Sequence, residues 1–149
     1  MNYYKPINFS LEELIYPELF KKLKDKQHIA WGLLDSRMLF TIDAIRKYFG
    51  KPVYVNSWDS GGELSLRGLR PFNTKVGAEF STHKYGIGID FTVKGIDSQE
   101  IRNHIKANYL NLSIYKYITC IEDFKGMNWV HIDFRNVVDR KSDLLIVSG

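Results

Sequence analysis

The sequence predicts an α+β fold, a small antiparallel sheet with flanking helices. Three observations point there. The first fifty residues carry apolar positions at helical spacing. The second half carries short β-branched runs that alternate with period two and are separated by turns. No repeat, low-complexity tract or linker interrupts the 149 residues, so residues 1–149 read as a single domain.

The elements follow in order. Ser10 and Glu13 form a capping-box pattern ahead of Leu14, Ile15, Leu19, Phe20 and Leu23, and Pro17 inside this run is expected to divide it into two short helices. His28 falls in a charged loop. A second helix starts near Asp35 or Ser36, with Met38, Ile42, Ile45 and Phe49 on one face and Gly50 placed to end it. Residues 52–57 read as a strand. Residues 58–86 are rich in Gly, Ser and Asn and read as a long irregular stretch, a length that is uncommon in a compact domain unless functional. Residues 88–93 read as a strand, and 98–109 as a helix capped by Asp97 or Ser98 that carries His104 on its surface. Residues 115–122 and 128–135 read as a hairpin around the turn 123–126, and 144–148 as an edge strand.

Composition bounds the function. Hydrophobic residues make up 44% and charged residues 26%, values of an ordered soluble protein. The net charge of +4 favours an anionic partner. Lys and Arg are spread out, which argues against nucleic acid. The single cysteine, Cys120, lies in an apolar run and reads as a buried thiol; it excludes an internal disulfide and a cysteine-based structural zinc site. The N-terminus has no signal-peptide pattern, and no apolar run approaches the ~18 residues of a membrane span. The chain is therefore expected to accumulate in the cytoplasm without membrane insertion.

The chemistry concentrates on strand faces. In 88–93, Ile89, Phe91 and Val93 share one face, and Gly88, Asp90 and Thr92 the other. In 128–135, Val130, Ile132 and Phe134 oppose Trp129, His131 and Asp133. If the two strands are neighbours, Asp90 and His131 share a surface, and His83 enters it from the loop. Two imidazoles and one carboxylate with a fourth position open are the ligand set of a catalytic zinc. The same residues also read as a polar turn, a solvent-facing carboxylate and a satisfied sheet histidine. Asp133, two residues past His131 on the same face, reads as a carboxylate behind the ligand or in contact with substrate.

The segment Ser81–Asp90, STHKYGIGID, resembles the S-x-H-x-x-G-x-A-x-D signature of zinc D-Ala-D-Ala carboxypeptidases and murein endopeptidases, the M15 peptidase family. Residues 129–133, WVHID, resemble that family's second histidine motif in the form of phage-type members. Residues 55–62 and 68–71 resemble the stretch that precedes the first histidine and supplies an arginine. The resemblance covers about residues 30–136.

It implies a fold like that of the hedgehog signalling domain, with one zinc ion per chain held by His83, Asp90 and His131. It also implies hydrolysis of peptide bonds in peptidoglycan stem peptides, as a D-Ala-D-Ala carboxypeptidase or an endolysin-type endopeptidase, with the attacking water at the open position. Arg70, followed by Pro71 as in the family pattern, would hold a substrate carboxylate, with Arg67 the alternative; Ser81 and Trp129 fall on the substrate side. Many members carry a glutamate three residues before the last histidine. Here that position is Asn128, which cannot take up a proton, so Glu122 or Asp133 would serve as base. The alternative is a zinc-binding but non-catalytic wall-recognition or virion-associated module. Trp58 would line the groove or cap the core, and Phe80 and Tyr85 would wall the cleft. A monomer is expected, released to the wall by a separate membrane-opening factor.

Overall fold

The computed structural model describes residues 4–136 and 144–149. The N-terminal helix prediction is corrected. Ser10 N–H donates to the Glu13 carboxylate at 2.9 Å, but the box closes only one turn, in which Leu14 and Ile15 N–H bond Leu11 C=O. Tyr16 is extended (φ −82°, ψ 155°) and Pro17 sits at the first position of α1 (Pro17–Leu23). A proline lacks the N–H needed to continue the earlier turn and drives its predecessor out of the helical region. After a 3₁₀ turn comes α2 (Gln27–Gly32), which places His28 at an exposed position of a helix rather than in a loop.

The helix α3 (Ser36–Phe49) forms as its periodicity predicts. Asp35 accepts from Arg37 N–H at its start, and Gly50 ends it in the left-handed region. Met38, Ile42 and Ile45 are fully buried. Asp97 caps α4 (Ser98–Asn108), whose Ile101 and Ile105 enter the same core.

Five strands make one sheet: β1 (Val53–Tyr54), β2 (Gly88–Val93), β3 (Cys120–Glu122), β4 (Val130–Asp133) and β5 (Leu145–Val147). Their order is β1-β2-β4-β3-β5, antiparallel except for the β3–β5 pair at the edge. The predicted strand and hairpin positions are present, but every strand except β2 is shorter than its sequence run, β1 and β3 most of all. The chain leaves β1 because Asn56 turns to residues 13–15: its N–H bonds Glu13 C=O and its side chain bonds Ile15 C=O. Residues 115–119 do not join β3: Tyr115 closes a 3₁₀ turn (Ser113–Tyr115) and its ring is drawn wholly into the core. Ile89, Phe91, Ile121, Val130 and Ile132 project from one face of the sheet, where α3 meets β2 and α4 meets β4. Each such side chain contributes about 1.5–3 kcal/mol by leaving water. The opposite face carries the polar row described below. Among the described residues, no helix is long and apolar enough to cross a membrane.

Candidate metal centre

Strand register builds the site. Asp90 on β2 pairs directly with His131 on β4, and His131 pairs directly with Glu122 on β3. Residues opposite one another across antiparallel strands have Cβ atoms about 4.5–5.5 Å apart. One row thus carries a carboxylate, an imidazole and a second carboxylate.

His83 arrives from outside the sheet, on a 3₁₀ turn (Thr82–Tyr85) that lies against the start of β2. Gly88 makes that approach possible. A Cβ there would overlap Thr82 Oγ1 and stand 3.1 Å from His83 N. The loop before the turn is tied down as well, by Arg70 N–H on His83 C=O at 3.1 Å.

The three side chains converge. His83 Nε2 lies 3.2 Å from Asp90 Oδ1 and 3.2 Å from His131 Nδ1, and His131 Nδ1 lies 2.7 Å from Asp90 Oδ1. Ligand atoms on a tetrahedron with bonds of about 2.0–2.1 Å stand roughly 3.3 Å apart. The outward nitrogens fix the ring forms. His83 Nδ1 is 2.8 Å from Gly68 C=O, to which it donates, so Nε2 carries a lone pair. His131 Nε2 faces Asp133 Oδ2 at 3.4 Å, leaving the Nδ1 lone pair turned inward. Two lone pairs and a carboxylate oxygen facing one another in a buried place demand a cation between them. A proton is one answer. Burial pushes His131 down, but hydrogen bonds to Asp133 and Asp90 carry it up to about 9. A divalent ion is the other, and the N₂O donor set suits zinc. Among the described residues no other group of three such side chains meets this spacing.

Around the cluster, each predicted residue has a definite place. Burial would raise Asp90, yet with a proton rather than a metal in the cluster, hydrogen bonds from His131 and His83 hold it far below the carboxylate range. Its second oxygen receives Arg70 Nη2 at 2.8 Å, and Arg70 Nε bonds Leu66 C=O. Asp133 is 0% exposed and is gripped by Arg135. Burial raises it and hydrogen bonds from His131 and Arg135 bring it down to about 2. Glu122, Ser81, Trp129, Phe80 and Arg70 line a cavity of about 410 Å³ over the cluster, and Asp133 does not. Arg67 is also outside that lining; its backbone C=O accepts from Asp90 N–H at 2.7 Å. Asn128 is exposed and away from the cavity wall. Trp58 caps the core, its Nε1 donating to Ile15 C=O and its ring on Phe20. Tyr85 borders a separate apolar cavity. His104, expected at the surface without partners, is instead half-buried between Tyr48 and Tyr115, whose Oη lies 2.9 Å from Nδ1.

Two residues at the site were not anticipated. Arg135 lines the cavity; it stands two and four residues beyond Asp133 and His131, so the alternation already put it on their face. Arg102, almost wholly buried, donates to Trp129 C=O at 2.6 Å and Met127 C=O at 3.1 Å, fixing the β3–β4 turn and Trp129 with it. A mid-helix arginine gives no sequence signal of this.

The sheet and its buried His-Asp-His cluster define a candidate metal centre. The model of the family Peptidase M15 matches residues 9–133, and the chain belongs to that family. No curated protein and no solved structure matches it significantly.

Proposed function

We propose that the protein is a zinc peptidase acting on peptidoglycan stem peptides, as a carboxypeptidase or an endopeptidase. The observation that supports this most is the convergence of His83 Nε2, Asp90 Oδ1 and His131 Nδ1 beneath an open cavity. When bound, zinc supplies acidification of water and polarisation of a scissile carbonyl. The chain supplies the rest. Arg70 fixes the orientation of the Asp90 carboxylate, and Asp133 that of the His131 ring. Glu122, facing the cavity beside His131, accepts a proton from the attacking water at its carboxylate and returns it to the leaving amine. Trp129 and Phe80 wall the cleft against bulk water. In this reading the chain works as a monomer on the cell wall, reached through a separate membrane-opening factor, with neither nucleic acid nor membrane as partner.

Asn128 favours a second reading, a zinc-binding module without activity. Glu122 separates the two. Purified protein should hold about one zinc per chain and release soluble peptides from murein until chelator is added. His83→Ala and His131→Ala should lose both metal and release. Glu122→Gln should keep its zinc and lose about 10²–10⁴-fold in rate. Zinc without release from the wild type would establish the non-catalytic module instead.

A further inference from the structure

Two guanidinium groups reach the cavity, and they differ in what they have left to give. Arg70 is committed to the metal site. Its side chain is 10% exposed, with Nε on Leu66 C=O and Nη2 on Asp90 Oδ2. The backbone at Gly77 passes so close that a Cβ there would stand 2.8 Å from Nη1. A substrate carboxylate drawn to Arg70 would compete with Asp90 for the same donor and loosen a metal ligand.

Arg135 is arranged differently. Its side chain is 39% exposed, the most open of the two cations. Nε and Nη2 grip the buried Asp133, which sets the plane of the fork, and Nη1 has no partner among the described residues. A planar donor already held in place loses little freedom when it takes a ligand, and its geometry suits a carboxylate. β4 ends at Asp133, and the Arg135 guanidinium folds back onto that carboxylate, which holds the fork in the cavity wall close to His131.

We propose that Arg135 is a specificity-determining residue that binds a substrate carboxylate entering the cavity over the cluster, and that Arg70 does not serve this purpose. The inference rests on the peptidase reading. The carboxylate has two sources, the C-terminus of the stem peptide or an acidic side chain beside the cut.

The test uses the full zinc-loaded chain and two pairs of synthetic stem peptides. One pair differs by C-terminal carboxylate against amide, the other by side-chain carboxylate against amide. Arg135→Gln should raise KM about 10–100-fold for the free carboxylate of one pair. Assayed at saturating zinc, the variant should lose the preference for the free carboxylate over its amide twin, whatever loss through Asp133 and His131 the two twins share. Arg135→Lys should recover part of the loss. The pair that responds identifies the source. A loss equal on both twins, or a fall in kcat alone with the carboxylate preference kept, would overturn the proposal, because each marks a role only through Asp133 and His131. If the wild type cleaves none of the peptides, the peptidase reading fails, and calorimetric binding of the same pairs decides the inference separately. Weaker binding of a free carboxylate, but not of its amide, in Arg135→Gln supports it; no carboxylate preference in the wild type refutes it.

Discussion

Asp90 performs two tasks with two oxygens. Oδ1 faces both imidazoles, and Oδ2 takes the Arg70 guanidinium. The arginine completes the carboxylate without entering the ligand set, and removing it leaves a buried anion half paired. Groups that support metal ligands in this way typically alter metal affinity by about 10–100-fold when lost. Arg70→Gln is therefore expected to weaken zinc binding by that factor in a chelator-competition titration. An unchanged affinity would show that Asp90 needs no such support. Sequence alternation was enough to put Asp90, His131 and Asp133 on one surface. It did not single out Arg135 or separate its role from that of Arg70, because the partner of each guanidinium is known only from the fold.

At the scale of elements, the site depends on a turn seated against a strand. Gly88 is the point of contact, where a side chain would collide with Thr82 and press on the backbone of His83. Gly88→Ala should cost about 1–3 kcal/mol in urea unfolding and lower zinc occupancy, since His83 is the ligand that must move. Stability lost with full zinc retained would mean that the turn shifts as a rigid unit.

A second attachment belongs to α3. Asp43 accepts from Tyr4 Oη at 2.7 Å, Ile7 N–H at 3.1 Å, and Asn8 N–H and Nδ2 at 2.8 and 2.9 Å, tying the N-terminal segment to the helix. Burial raises its carboxyl, but these bonds prevail and hold it below the usual range. A depressed folded pKa gives stability that is present above the unfolded value of about 4 and lost as pH falls through the folded one. Asp43→Asn should thus cost about 1–3 kcal/mol at pH 7, and the gap to the wild type should shrink steadily below pH 4. A gap independent of pH would place the effect in packing. Helices and strands with clear periodicity were legible in the sequence. The early turn, the release of the chain after Tyr54 and the burial of Tyr115 were not, because each is decided by contacts with segments far away in the chain.

At the scale of the whole molecule, the three ligands come from a loop turn and two strands separated by up to 48 residues. They stand together only when the sheet has formed and residues 67–70 have closed over the His83 turn. A metal held by such a centre would bind the folded state and hardly at all the unfolded one, so its binding would be linked to folding. Free zinc at 100 times its dissociation constant would stabilise the fold by about 2.7 kcal/mol. For a chain of this size that corresponds to a rise in Tm of roughly 5–10 °C. The rise should vanish with chelator and be absent in His83→Ala, which leaves the strand pair β2–β4 intact. Equal zinc stabilisation of wild type and His83→Ala would show that the ion binds elsewhere, and that the convergence of the three side chains is held by hydrogen bonds alone.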